Sequence, residues 1–261
     1  MTSFAWLRAR PKALASAGAV TAAAVAITTL AFVYQGLPTT EVDLHDGGVW
    51  VTKKSSLLVG HFNHESQVLD GGLRTGSDSY DILQSGSRVL VVDQTHFTVT
   101  PVDPAMVTLT NSADLPSGAK VALGGGTVAI LDPSSGALWA ARADTVGSFT
   151  AKGVDPNATL GEGADVAVGV DGTIHAVSTH DGEIVSIAMN ADGEPQDPSR
   201  QAVDGVKDAK DASISAVGST AVVLAGGTVY GSNGLRATVS GADGAVLQQA
   251  SADAPAVAVA T

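Results

Sequence analysis

Six histidines and a few acidic turns are the residues of this 261-residue chain with most chemistry in them. His61 and His64, in the run HFNH, stand three apart, a spacing that puts two imidazoles on one face of a helix but not on a strand entering a turn. Their surroundings read as strand and turn, which predicts solvated histidines and no metal site. His180-Asp181, within STHDGE, joins a base to an orienting carboxylate. Asp181-Gly182 is also what a hairpin turn requires, so the same residues are explained without catalysis. His175 falls on a predicted strand and is a candidate for a channel-facing side chain, while His45 and His96 have no partner that the sequence identifies.

The turns Asn190-Ala191-Asp192-Gly193-Glu194 and Asp155-Pro156-Asn157 offer oxygens of the kind calcium takes, but the spaced Asp/Asn loop with its closing Glu is not met. Hairpins select Asp, Asn and Gly for backbone reasons alone. Asn157-Ala158-Thr159 matches an N-glycosylation sequon, which matters only in a eukaryotic secretory route. Gly124-Gly125-Gly126 precedes a strand and not a helix, so it cannot aim a helix N-terminus at a phosphate. Cysteine is absent, which removes disulfides, thiolate metal sites and thiol nucleophiles together. Trp50 and Trp139, both on predicted strands, make no stacking platform for sugars or bases. No residue is nominated as catalytic, cofactor-binding or metal-ligating, and no cofactor is expected.

The elements that would position these residues form a repeat. A short apolar stretch, a tight polar turn and a second apolar stretch recur as Val42–Leu44 then Gly48–Val51, Asp81–Leu83 then Arg88–Val92, Lys120–Leu123 then Thr127–Leu131, Asp165–Val168 then Thr173–Val177, and Ser213–Val217 then Ala221–Leu224. With Val49, Val89, Val128, Ile174 and Ala221 as equivalents, the spacings are 40, 39, 46 and 47 residues, the length of a propeller blade. Third stretches follow at 57–62, 97–102, 137–141, 183–189 and 235–239, and fourth ones most clearly at 68–69, 106–110, 148–152 and 246–250. This predicts an all-β, β-propeller-like array of four-stranded blades, about five plus one strand, the last strand falling at 255–261. Short strands at regular spacing also describe a β-sandwich, and a β-solenoid is a third reading. Five blades and one further strand leave an open ring, so the chain is expected to be truncated at its C-terminus and to be a piece of a longer protein.

Ahead of the repeat, residues 13–40 carry no charge, and Ala13–Val33 is 21 residues of mostly Ala, Val, Thr, Leu and Ile, enough to span a hydrocarbon core. Residues 13–35 are expected to be a single transmembrane signal-anchor helix, with 1–12 a cytoplasmic basic tail and 36–261 an extracytoplasmic domain, because Arg8, Arg10 and Lys12 lie only before it. A cleaved signal peptide competes, with A-x-A triplets at Ala15–Ala17 and Ala24–Ala26, but the apolar run ends on bulky Phe32-Val33-Tyr34. A buried soluble helix is the third reading. Of 14 basic residues, 11 remain after this segment against all 26 acidic ones, a formal charge of −15 for 36–261. Such a surface is repelled by phosphate backbones, which excludes nucleic acid as an expected partner.

The basic N-terminus, the Ala-rich anchor and the segments GLPTTEVDLHDGGVWVT and LLVGHFNHESQVLDGGL resemble the N-terminal part of large actinobacterial membrane-anchored proteins with fibronectin type III or immunoglobulin-like domains. In that family a propeller-like region precedes a string of such domains, which this chain lacks. The resemblance covers most of the chain, is sharpest at 36–73 and carries over no catalytic residue. The expected function is a non-catalytic membrane-anchored scaffold or interaction domain that holds an unidentified protein or cell-wall partner. The alternative is an extracytoplasmic enzyme on a propeller, a lyase or a quinoprotein-like dehydrogenase. A channel mouth lined by His and acidic groups would favour the enzyme, and one lined by Ala, Val and Ser the scaffold. A sensor ectodomain lacks support, since about 12 residues before the helix are too few for a signalling domain.

Overall fold

The computed structural model describes residues 48–240, 244–248 and 256–260. The expected tail and anchor (1–35), the stretch Val42–Leu44 and His45 lie outside the described residues, and among the described residues no helix is long and apolar enough to cross a membrane. Strands dominate. Sheet one is β1 (Val49–Lys53), β2 (Leu58–Asn63) and β3 (Val68–Arg74), paired in that order. Sheet two runs β4 (Tyr80–Ser85), β5 (Arg88–Asp93), β6 (Thr98–Asp103), and its outer edge is broken into β7 (Thr108–Leu109) and β8 (Ala113–Asp114), which pair opposite ends of β6. Sheet three is β9 (Lys120–Gly124), β10 (Thr127–Leu131), β11 (Ala137–Arg142) and β12 (Ala158–Thr159). Sheet four is β13 (Asp165–Val168), β14 (Ile174–Ser178), β15 (Glu183–Ile187) and β16 (Ser199–Ala202). Sheet five is β17 (Ser213–Val217), β18 (Thr220–Ala225), β19 (Thr228–Gly231) and β20 (Arg236–Thr238). A two-stranded sheet of β21 (Val246–Leu247) and β22 (Val259–Ala260) follows.

Every pairing within these sheets is antiparallel and, except for that of β8 with β6, sequential, and the first strands of successive sheets lie beside one another, β4 by β9, β9 by β13, β13 by β17 and β17 by β21. That is the radial stacking of β-propeller blades. The second strands show why it holds together. On β10, Val128 and Ile130 pack towards sheet two, whereas Ala129 and Leu131 pack towards sheet four. On β5, Val89 and Val91 face sheet one and Leu90 and Val92 face sheet three. On β18, Ala221, Val223 and Ala225 face sheet four and Val222 and Leu224 the other way. Each of these three second strands is thus buried on both faces and reads as a continuous apolar run instead of an alternation. Each of its large side chains contributes roughly 1.5–3 kcal/mol on burial.

Several expected strands are displaced. The fourth strand expected at 148–152 is a 3-10 turn at Val146–Ser148 followed by loop, and the fourth strand is Ala158–Thr159. Val146 and Phe149 are apolar because they plug the core between sheets two and three, where Phe149 meets Trp139 edge-on at 6.2 Å. The third strand of sheet five is Thr228–Gly231, so 235–239 holds the fourth. Gly226 and Gly227, both at positive φ, close that hairpin on strands too short to show a pattern. The stretch 246–250 is not a fourth strand of sheet five: β21 lies against β17 and β18, where the first strand of a following sheet belongs, and β22 is its second strand. β16, exposed along its length, has no apolar signature at all.

Candidate functional site

One hairpin geometry recurs at the same end of all five sheets, between the strands equivalent to β5 and β6. Its last residue takes a left-handed backbone, and its carbonyl accepts the N–H of the residue where the chain returns: Leu57 from Thr75, Phe97 from Leu115, Gly136 from Leu160, Gly182 from Val203, Gly227 from Val239. In sheets two to four an Asp or Ser side chain opens the turn by accepting main-chain N–H groups: Asp93 from Thr95 and His96, Asp132 from Ser134, Ser178 from Asp181. Glycine fits the left-handed slot in sheets three to five. At Gly136 it is required twice over, because an added Cβ would fall 2.2 Å from the Gly161 nitrogen. Leu57 and Phe97 occupy the slot in sheets one and two at a cost of about 1 kcal/mol each.

The first strands begin at this same end, with Asp81, Lys120, Asp165 and Ser213 at their starts. Lys120 Nζ lies 2.8 Å from Asp165 Oδ1 and donates to the Ala164 carbonyl, and Asp165 Oδ2 accepts the Ile214 N–H at 3.1 Å. This chain of bonds staples sheets three, four and five at the rim. Beyond it, a cleft of about 420 Å³ opens between sheet two and the 115–121 segment, with Leu83, Leu115 and Pro116 in its apolar wall and Phe97 at its lip. Asp81 stands in the cleft, exposed, and among the described residues its Oδ1 accepts only its neighbour's N–H from Ile82. Burial pushes the Asp93 carboxyl up, but bonds from His96, Ser77 and Thr95 outweigh it and hold the group below the usual carboxylate range.

The histidines are dispersed. His61 Nδ1 lies 2.6 Å from Asp70, which also accepts a bond from Asn63, and the histidine bond holds Asp70 below the usual range. His64 is exposed, in the turn that follows β2. His96 pairs with Asp93 at 3.0 Å and His180 with Asp181 at 2.8 Å, both within single hairpins, and the His180 bond lowers Asp181. His175 does not face a channel. Its ring is buried between β14 and the next sheet, Nδ1 lies 2.9 Å from Ser186 Oγ, and Nε2 has no hydrogen-bond partner among the described residues. Burial pushes the imidazole down, and the Asp171 charge and Ser219 main chain offset only part of that. Among the described residues no three His, Asp or Glu side chains gather as a metal would require.

The acidic turns serve the backbone. Asn190 Oδ1 accepts the N–H groups of Asp192 and Glu194, and Asn157 Oδ1 accepts that of Ala140. Gly124 and Gly125 let sheet three approach sheet four, since a Cβ on either would fall within 2.6 Å of the main chain at Gly169 or Gly172. Trp50 and Trp139 are both buried, Trp139 donating to the Val154 carbonyl. Sequence reasoning passed over the rim cleft, although Asp81, Lys120 and Asp165 open the first strands of three consecutive repeats, which marks them as neighbours around one mouth.

No family model matches the chain, and no curated protein matches it. Solved structures do. Virginiamycin B lyase from Staphylococcus aureus, as a catalytically inactive variant with quinupristin, superposes with a TM-score of 0.52 at 14% identity over 82% of this chain and 75% of the lyase. The dihydro-heme d1 dehydrogenase NirN superposes with a TM-score of 0.55 at 16% identity over 77% of this chain, which spans 45% of that protein. At these identities the likeness is one of fold, and it agrees with the propeller stacking seen strand by strand.

Proposed function

We propose that this chain is a membrane-anchored, extracytoplasmic β-propeller platform that binds a partner at the rim where its first strands begin, without catalysing a reaction. The observation that carries this reading is the employment of the rim's charged groups. Lys120 and Asp165 brace adjacent sheets, Asp93 braces its own hairpin, and Asp81 is left facing the cleft with its one hydrogen bond among the described residues accepted from the Ile82 main chain, so that none of these groups orients another for chemistry. Catalysis needs a nucleophile or proton carrier oriented by a second group. The three His–Asp pairs among the described residues are instead separate and each local to one hairpin or strand pair. The anchor at 13–35 supports a surface location, with the basic tail inside and the acidic domain outside. The resemblance to anchored fibronectin-like and immunoglobulin-like proteins points the same way.

The test is turnover by the purified full chain. Incubation with quinupristin, the compound held by the structurally similar lyase, is expected to return it unchanged. Conversion at any rate above the buffer control, lost on His180→Ala or His175→Ala, would replace the platform reading with the lyase one.

A further inference from the structure

We propose that the cleft beside Phe97 receives an arginine or lysine side chain of a partner polypeptide, with the cationic head on Asp81 and the stem or guanidinium plane against the Phe97 ring. The proposal rests on the platform reading and names the partner chemistry of its rim. Four observations meet here. First, the cleft is lined by three carboxylates, Asp81, Asp93 and Asp165, against the single ammonium of Lys120, which Asp165 already neutralises at 2.8 Å. Its field is therefore negative, in a domain of formal charge −15. Second, Asp81 is the lining carboxylate to which no neighbouring sheet bonds among the described residues: Asp93 is tied to Ser77, Thr95 and His96, and Asp165 to Lys120 and Ile214. Third, Leu83, Leu115 and Pro116 give the cleft an apolar side next to its carboxylates, which suits an occupant with an apolar stem and a charged tip, as a basic side chain has.

The fourth observation is Phe97 itself. Three of the five equivalent hairpin positions are glycine, and Phe97 holds an aromatic side chain at φ 52, more than a third exposed. A ring kept at a strained backbone and left partly in water gains little for the fold. A cation laid over its face gains from the ring quadrupole, more so as water leaves. The volume of about 420 Å³ exceeds one side chain and lies in the range that buries a small ligand, so an apolar neighbour in the partner's sequence enters with the basic residue.

Fluorescence polarisation with the full chain in detergent tests this, using labelled acetyl-Leu-Arg-Leu-amide, its Leu-Glu-Leu counterpart, and free arginine as competitor. Saturable binding of the arginine peptide alone is expected. Asp81→Asn should weaken it about tenfold, and Phe97→Gly about fivefold, with the melting temperature of Phe97→Gly unchanged or raised because the slot is relieved of strain. Equal binding of both peptides, or affinity untouched by either substitution, refutes the site while leaving the platform reading standing. Displacement by free arginine at the peptide's own affinity refutes a polypeptide partner. Self-association of the chain that depends on Asp81 would make a second copy the occupant and equally overturn the proposal.

Discussion

Acidification should weaken this fold through one residue, His175. Its side chain is 4% exposed, is held at Nδ1 by Ser186 and leaves Nε2 without a partner among the described residues, so protonation in place would bury a charge. Burial therefore keeps the folded imidazole neutral below the pH at which an unfolded histidine, near 6.5, takes its proton. With the folded pKa depressed, the unfolded state binds more protons below pH 6.5. Stability is full above that value and falls as pH drops, on the order of 1.4 kcal/mol per unit, until the folded group itself titrates. Between pH 7 and pH 5 the loss has an upper bound of about 2 kcal/mol, the limit for an imidazole that stays neutral in the fold throughout. The lowered carboxylates Asp70, Asp93, Asp132, Asp144 and Asp181 act in a separate window, since their contribution is lost only as pH falls below the unfolded value of 3.8. Urea unfolding of the chain and of His175→Asn at pH 7, 6 and 5 isolates the effect. Asparagine can keep the Ser186 bond, costs about 1–3 kcal/mol at every pH from lost packing, and should flatten the pH dependence by at most about 2 kcal/mol. The same slope in both proteins would show that burial does not hold His175 neutral.

Asp165→Ala, which removes the acceptor for both Lys120 and the Ile214 N–H, is expected to cost about 2 kcal/mol in chemical denaturation, whereas Lys120→Met, losing one half-exposed partner, costs under about 1 kcal/mol. Equal costs would mean that the Ile214 bond contributes nothing. Gly136→Ala forces a Cβ to within 2.2 Å of the Gly161 nitrogen and should cost more than about 3 kcal/mol, while Gly86→Ala, left-handed but open around its Cβ, should cost about 1 kcal/mol; thermal melts of the two variants decide between backbone crowding and conformational preference alone.

The second strands of the repeats were the most legible elements, because Val89–Val92, Thr127–Leu131 and Ala221–Leu224 are buried on both faces and their apolar runs leave little choice of structure. The repeat length followed from them. Outer strands were less legible, because β12 and β16 make few apolar contacts and are defined by pairing to β11 and β15, information that lies in the partner strand. Val146 and Phe149 misled for the opposite reason: they are apolar to fill a gap between sheets, not to continue one. At the candidate site, Asp81, Lys120 and Asp165 could be aligned by repeat position, but the cleft depends on Phe97 in a slot that is glycine elsewhere. That equivalence appears only when the hairpin carbonyls of five sheets are compared.

The account stands most directly on which side of a membrane the β domain lies. Because the chain has no cysteine, single substitutions report without background: Ser3→Cys in the basic tail and Ala191→Cys in an exposed turn of sheet four. Labelling intact cells with a membrane-impermeant maleimide should modify Ala191→Cys at once and Ser3→Cys only after lysis, with both proteins recovered in the membrane fraction. Labelling of Ala191→Cys only after lysis would contradict export. Recovery of a β domain lacking the first 35 residues in the medium would contradict the anchor.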